Sequence, residues 1–128
     1  MSAVSLTVKT LLGESTITAI TSTRVFPSVL PLKTVLPAIA VAMSGEDEEY
    51  MLAGASQYPV GSVQIHCCAV TAKAAIELGE TVKEALRDKL YTSGQNQAQF
   101  QKAGVDFTDF NDEQTLHRRV MSFDVRWR

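Results

Sequence analysis

The residues of this sequence that could carry chemistry include two histidines and two cysteines, with three of the four adjacent as His66-Cys67-Cys68. A cysteine beside a histidine suggests a nucleophile with its general base. Neighbouring strand residues point to opposite faces, however, so the side chains of His66 and Cys67 cannot bond to each other in an extended segment. His66 and Cys68 share a face, but their spacing of two residues places them too far apart for easy contact. Two reduced thiols, with Cys67 buried, are therefore favoured over a catalytic cysteine, and over a strained disulfide between neighbours.

A second candidate is the run of four consecutive acids from Glu46 to Glu49. A calcium-binding loop needs ligands at alternating positions and a glycine at its sharp turn, and this run lacks that spacing. Like charges repel, so the run is predicted to be a solvated hairpin tip, with docking onto a basic partner as the alternative. The sequence also lacks the common phosphate-, dinucleotide- and zinc-binding motifs. No catalytic residue, cofactor or metal ligand is therefore predicted.

The third candidate is a basic cluster, His117-Arg118-Arg119, close to the start of the last apolar segment. It could bind phosphate or acidic side chains of a partner. Alternatively, it is a solvated strand end that offsets the nearby acids Asp109, Asp112 and Glu113. Either interpretation allows a protein–protein interface, so we expect eight charged residues to lie at contact surfaces. They are Glu46, Asp47, Glu48, Glu49, Arg118, Arg119, Arg126 and Arg128.

Composition limits the other classes of function. The chain has 128 residues, so a single domain over residues 1–128 is expected. Its formal charge of −2 gives no general attraction for nucleic acid or for anionic membrane. The best apolar segment, Val35 to Met43, is far shorter than the roughly 20 residues of a membrane-spanning helix. The start of the chain lacks the pattern of a signal peptide, so synthesis in the cytoplasm is expected.

Hydrophobic spacing predicts which elements position these residues. Apolar residues recur at helical spacing from Ser2 to Leu12, and Gly13 is typical of a helix end. The region from Glu14 to Thr21 is ambiguous between helix and irregular structure. Prolines exclude a central strand between Arg24 and Pro37, so a short edge strand at Arg24-Val25-Phe26 and an extended loop are expected. Alternation predicts a strand from Ala38 to Met43, followed by a turn at the acidic run.

The second half of the chain has the clearer pattern. A strand is predicted from Ser62 to Val70, with Thr71 as the N-cap of an amphipathic helix from Ala72 to Leu90. A strand with a bulge at Gly104 is predicted from Phe100 to Phe110, and a final strand from Leu116 to Trp127. Loops are expected at residues 54–61, 93–97 and 111–114. This order predicts an α+β domain, a mainly antiparallel sheet with both helices packed on one face.

Three stretches together resemble a known family. Arg24-Val25-Phe26-Pro27 follows an N-terminal helix, and the strand Val63 to Ala69 leads directly into the helix that begins after Thr71. The chain then closes with the hydrophobic and basic strand Leu116 to Trp127. This order resembles the tail-completion (tail-terminator) family of long-tailed bacteriophages, which also occurs in gene transfer agents. The resemblance covers nearly the whole chain, and the dense acidic run between Gly45 and Tyr50 is its main departure.

The resemblance implies a structural protein of the virion rather than an enzyme. Members of the family form a ring, usually of six subunits, at the head-proximal end of the tail tube. The ring ends tube growth and offers the surface that joins the filled head. The implied partners are further copies of the chain, the tail tube protein and the head-closure or connector protein, with DNA passing through the ring. A minor tail or head-closure protein, and a small Cys/His-dependent enzyme, are the alternatives.

Overall fold

A computed structural model describes residues 3–31, 33–47, 50–51, 54–55, 60–87, 90–93, 96–111 and 116–127. The helices are α1 (Ala3–Leu12), α2 (Ser15–Thr21) and α3 (Ala72–Leu86). The first four strands are β1 (Val25–Pro27), β2 (Ala38–Asp47), β3 (Tyr50–Met51) and β4 (Gly54–Ala55). The others are β5 (Val60–Ala69), β6 (Leu90–Ser93), β7 (Asn96–Phe110) and β8 (His117–Trp127). The predicted α+β class is confirmed.

The main sheet has six strands in the order β1-β2-β5-β8-β7-β6. Strand β1 pairs with β2 in parallel, and every other pair in this sheet is antiparallel. The short strand predicted at residues 24–26 is confirmed as an edge strand, in agreement with the prolines that follow it. Strands β3 and β4 form a separate two-stranded sheet.

The helices pack on one face of the main sheet and enclose a single core. Alternate residues of β8, namely Met121, Phe123 and Val125, are fully buried against the helices. Trp127 from β8 joins Val82 and Leu86 from α3 in the same cluster, as the alternation of the last strand predicts. The long helix begins as predicted, because the Thr71 side chain accepts a hydrogen bond from the backbone N–H of Ala74 at 3.1 Å.

The predicted end of the long helix is wrong. Helix α3 stops at Leu86, because Arg87 adopts the extended ψ of 120° and directs the chain away from the helix axis. Leu90 was expected in the apolar stripe of the helix, but it is the first residue of β6 and pairs with Gln99 of β7. A leucine four residues after Leu86 fits helical spacing and an adjacent strand equally well. The ambiguous segment after Gly13 proves to be helix α2.

Three predicted loops are shorter than expected, because strand pairing extends into them. Strand β2 continues through Asp47, whose partner is Val60, so Ser44 to Asp47 are strand residues rather than a turn. The loop predicted at residues 54–61 contains β4 and the start of β5, and the loop predicted at 93–97 contains the ends of β6 and β7. Residues 112–114 of the last predicted loop lie outside the described residues.

The predicted bulge in β7 is confirmed. The register between β7 and β8 shifts between Ala103 and Phe107, and Gly104 has a φ of 65°. That positive φ is easily adopted by glycine, and a bulge redirects the side chains that follow it. Asp106 lies in this irregular stretch of β7 and belongs to the site described next.

Candidate assembly interface

The strand register separates the predicted interface residues into two groups at opposite ends of the sheet. Asp47 of β2 lies in one row with Val60 of β5 and Arg126 of β8, and this row defines the Asp47 end. Arg118 lies opposite Cys68 and Asp109, in a row that defines the Arg118 end. Eight residues of β8 separate the two rows, which corresponds to about 27 Å. Glu48, Glu49 and Arg128 lie outside the described residues.

The expectation that Arg119 lies at the surface is wrong. Its side chain lies beneath α3, and the residue is only 8% exposed. Its Nη1 atom donates to the carbonyl oxygen of Ile76 at 3.2 Å and to Oε1 of Glu80 at 2.6 Å, while Nη2 donates to Oδ2 of Asp106 at 3.0 Å. Arg119 is a core-facing residue of β8, on the same face as Met121 and Phe123, so its charge is neutralised inside the chain.

The carboxylate of Asp106 completes this network at the bulge of β7. Its second oxygen lies 2.5 Å from Nζ of Lys102, and that ammonium group also donates to the carbonyl of Ala103 at 2.9 Å. Burial opposes ionisation of Asp106, but its interactions with Lys102 and Arg119 outweigh burial and hold its pKa below the usual range. The hydrogen bond from Arg119 likewise lowers the pKa of Glu80. The network therefore joins helix α3, the bulge and strand β8.

Gly79 makes room for the guanidinium group. A Cβ atom at this position would lie 2.4 Å from Cδ of Arg119, closer than two non-bonded carbon atoms can approach. Glycine in a helix is about 1 kcal/mol less favourable than alanine, so its presence in the apolar stripe of α3 calls for a packing reason. That signal was available in the sequence, whereas the roles of Asp106 and Lys102 depend on the pairing of β7 with β8 and were missed.

Arg118 is also paired within the chain. Its Nε and Nη2 atoms each donate to one carboxylate oxygen of Asp109 at 2.6 Å, and Nη1 lies 3.0 Å from Nδ1 of His66. The hydrogen bonds with Asp109 raise the pKa of Arg118 and lower that of Asp109. Burial and the nearby charge of Arg118 lower the pKa of His66, so the imidazole is neutral at neutral pH. This geometry agrees with a strand end whose charges offset nearby acids.

The two cysteines are free, as predicted, and both are buried, although burial was predicted for Cys67 alone. Burial raises the pKa of the Cys67 thiol far above its usual range and raises that of Cys68 to about 11. Both groups therefore stay protonated at neutral pH, whereas a cysteine nucleophile reacts as the thiolate. The ring of His66, the possible base, contacts Arg118 through Nδ1, and the Cys68 thiol donates to the backbone carbonyl of His66 at 3.7 Å.

The Asp47 end carries polar groups on the face of the sheet that the helices leave open. Asp124 of β8 accepts a hydrogen bond from the Ser62 hydroxyl at 2.9 Å. Arg126 is exposed on the same face. A shallow depression of about 360 Å³ is lined by Gln99, Gln101, Asp124 and Arg126. These amide, carboxylate and guanidinium groups suit hydrogen bonding to another protein surface.

The described residues were also compared with the requirements of a metal site and of a membrane-spanning helix. Within the part of the chain that the structure describes, no three His, Cys, Asp or Glu side chains are grouped as metal ligands would be. None of the described helices has the length and apolar character required to cross a membrane.

Comparison with known proteins gives a match of fold over the whole chain. A chain in the solved structure titled "Virion of native gene transfer agent (GTA) particle" superposes with a TM-score of 0.71 at 18% sequence identity. The match covers 99% of this chain and 98% of that chain. At this identity the likeness shows a shared fold and no more. No family model and no curated protein matches the sequence.

Proposed function

We propose that this chain is a structural virion protein that forms a ring, of six copies, at the head-proximal end of a phage-like tail tube. In this role it ends tube growth and provides the surface that joins the head. Its partners are neighbouring copies of itself, the tail tube protein and the head-closure or connector protein. DNA passes through the ring without being read by sequence.

The observation that carries this proposal is the likeness of fold to a chain of a gene transfer agent virion, which extends over nearly the full length of both chains. The resemblance of Arg24 to Pro27, of the strand and helix around Thr71, and of the closing strand to tail-completion proteins gives independent support. A single rigid sheet with helices on one face also provides a second, open face for contacts with other subunits.

The burial of both thiols and the contact of His66 with Arg118 weigh against the enzyme alternative. A Cys/His-dependent enzyme needs an accessible thiolate, but burial raises the pKa of both thiols, and His66 contacts Arg118 instead. The head-closure alternative predicts a different particle defect, so one genetic experiment can distinguish it from the tail-end ring.

The test is deletion of the gene in the phage or gene transfer agent that encodes the chain, followed by electron microscopy of the particles. A protein that ends tube growth leaves tubes of irregular, excessive length that are not joined to heads. A head-closure protein leaves tails of normal length beside heads that have lost their DNA. Normal particles in the deletion strain would contradict both proposals.

Adding purified protein to the deletion extract controls for indirect effects. We expect wild-type protein to restore joining of heads to tails of normal length. A core-destabilised variant such as Phe123→Ala, added at equal concentration, serves as the matched control and should restore much less. Density for the added protein at any position other than the head-proximal end of the tube would overturn the proposed placement.

A further inference from the structure

The open face of the sheet carries a chain of polar contacts at the Arg118 end. The Nη1 atom of Arg118 lies 3.0 Å from Nδ1 of His66, while its Nε and Nη2 atoms each donate to one carboxylate oxygen of Asp109 at 2.6 Å. These residues belong to the adjacent strands β5, β8 and β7, on the face opposite to the helices. Arg118 therefore links three strands through its side chain, and we refer to His66, Arg118 and Asp109 as the Arg118 bridge.

The chemistry of the two side chains fixes the direction of the contact between Arg118 and His66. A guanidinium group has N–H donors and no acceptor, and it stays protonated in proteins. Nδ1 of His66 must therefore accept the hydrogen bond through its lone pair, which leaves the ring proton on Nε2. Since this contact exists only while the imidazole is neutral, the protonation state of His66 decides whether the bridge reaches β5.

Protonation of His66 turns this attraction into repulsion. A second proton, on Nδ1, removes the acceptor and places an imidazolium group beside the guanidinium group at 3.0 Å. The imidazole is half-buried, so water screens the two positive charges only in part. The charge of Asp109 offsets some of this repulsion, but both of its carboxylate oxygens already accept hydrogen bonds from Arg118.

The other described neighbours of the His66 ring carry no charge. Two are its cross-strand partners and two flank it on the same face of β5; they are Ala40, Val120, Gln64 and Cys68. The Cys68 thiol donates to the backbone carbonyl of His66 at 3.7 Å, and burial raises its pKa to about 11. That thiol therefore stays neutral through the range in which a histidine titrates. The helices lie on the opposite face of the sheet, so the charges that act on the ring come from the Arg118 bridge itself.

The stability of the fold depends on pH through this contact. Burial lowers the pKa of His66 from the ordinary 6.5, and the charge of Arg118 lowers it further, while the charge of Asp109 opposes the shift. As the pH falls below 6.5, the unfolded chain takes up the proton first, so the folded state loses stability until the pH passes below its own, lowered pKa. The hydrogen bonds from Arg118 hold the pKa of Asp109 below 3.8, so that carboxylate stays ionised while His66 begins to titrate.

We propose that the Arg118 bridge is a pH-sensitive switch on the open face of the sheet. With His66 neutral, the guanidinium group is held from both sides, by the imidazole of β5 and by the carboxylate of β7. With His66 protonated, the imidazole and the guanidinium group separate, and Arg118 keeps its contact with Asp109 alone. This inference concerns the chain itself and does not depend on the proposed ring.

Nitrogen NMR of the His66 ring tests the switch directly. At neutral pH we expect the proton on Nε2 and none on Nδ1, and we expect the ring to titrate below 6.5. Arg118→Ala removes the guanidinium group, so it should move the titration midpoint of His66 upward, toward 6.5. Arg126→Ala is the matched control, because Arg126 lies on the same strand and face but eight residues away, and it should leave the midpoint unchanged. A proton on Nδ1, or a midpoint that stays in place in Arg118→Ala, would overturn the proposal.

Thermal unfolding measured against pH gives a second test. His66→Gln offers Arg118 an amide oxygen as acceptor but cannot be protonated. We expect the melting temperature of the wild type to fall as the pH drops below 6.5, and that of His66→Gln to fall less over the same range. His117→Gln leaves the Arg118 bridge in place and should follow the wild type. Equal acid sensitivity in the wild type and in His66→Gln would contradict the switch, and the wild-type tautomer decides the question if Arg118→Ala does not fold.

Discussion

The Arg118 end and the Asp47 end of the sheet both carry the charged residues that suggest an interface, yet they use them differently. At the Arg118 end, Asp109 pairs with Arg118, while Asp106 and Glu80 pair with Arg119. At the Asp47 end, the acidic run begins in the last two residues of β2, beyond the part of that strand that β1 covers. The first end uses its charges within the chain, whereas the second is the end at which we propose contacts with other virion proteins.

The difference shows that charge alone does not identify a contact surface. Two adjacent arginines are indistinguishable in the sequence, but Arg119 is buried beneath α3, and Arg118 is half-exposed in a bidentate pair. Their alternation on β8 places them on opposite faces of the sheet. The position of each charge relative to the helices therefore decides whether its partner lies in the same chain.

The largest effect is expected from substitutions in the core, because both ends of the sheet depend on the same core for their stability. Phe123 is fully buried on β8, and Leu86 is fully buried on α3. Phe123→Ala or Leu86→Ala should lower the free energy of unfolding by about 2–5 kcal/mol, through lost apolar contacts and the cavity left behind. Thermal and denaturant unfolding measure the loss. Unchanged melting temperatures in both variants would contradict the packing of the helix against the last strand.

A smaller loss of stability is expected when the charge network around Arg119, at the Arg118 end, is broken. Arg119→Ala removes a buried charge and leaves Asp106 with Lys102 alone, so we expect a loss of about 2 kcal/mol, reduced from a fully buried pair by the exposure of Glu80. Gly79→Ala should destabilise the wild type, because the added Cβ meets the Arg119 side chain.

The double variant makes this prediction specific. With Arg119 already alanine, Gly79→Ala should instead stabilise the chain by up to about 1 kcal/mol, through the higher helix propensity of alanine. Denaturant titration of the four proteins in this cycle measures the coupling. Additive effects would show that Gly79 is not required by the guanidinium group.

Substitutions at the Asp47 end should change assembly rather than the free energy of unfolding. Reversing all four acids from Glu46 to Glu49 to lysine should weaken ring closure or docking, more strongly at low salt where screening is least. Single exposed ion pairs contribute roughly 0–1 kcal/mol, so one reversal should do little. Sedimentation of the purified variant with isolated tails, at low and moderate salt, measures the effect. A four-fold variant that caps tails and joins heads normally would identify the run as a solvated segment without a role in recognition.

Two arginines of β8 give a matched pair for the same comparison. Arg126→Ala, at the Asp47 end, should weaken assembly more than Arg118→Ala, although Arg118→Ala removes the ion pair with Asp109. Equal effects on assembly would remove the distinction between the two ends.

The smallest effects are expected at the cysteines. Cys67→Ala and Cys68→Ser should leave assembly intact, apart from a small loss of packing, because both thiols are buried and protonated. Assembly and thiol labelling measured on folded protein check this result. A Cys68→Ser variant that folds normally but no longer assembles would show that the thiol has a functional role.

The sequence by itself determined the elements with strong local signals. Alternation in the last strand, the Thr71 cap, the stripe of α3 and the bulge at Gly104 each depend on residues close together in the chain, so they could be predicted. The burial of Cys67 followed from the alternation of its strand, whereas that of Cys68, on the opposite face, did not. The end of α3 and the extension of β2 through Asp47 could not be predicted in this way, because strand pairing with distant residues decides where those elements stop.

Only the tertiary structure decided which charges are available to a partner. Asp106 reaches Arg119 because β7 pairs with β8, and Glu80 reaches the same guanidinium from a helix 39 residues away in the chain. The alignment of the distant strands β2 and β6 likewise depends on the registers of four successive strand pairs. Local sequence patterns carry no information about such long-range registers, since each follows from how the whole sheet packs beneath its helices.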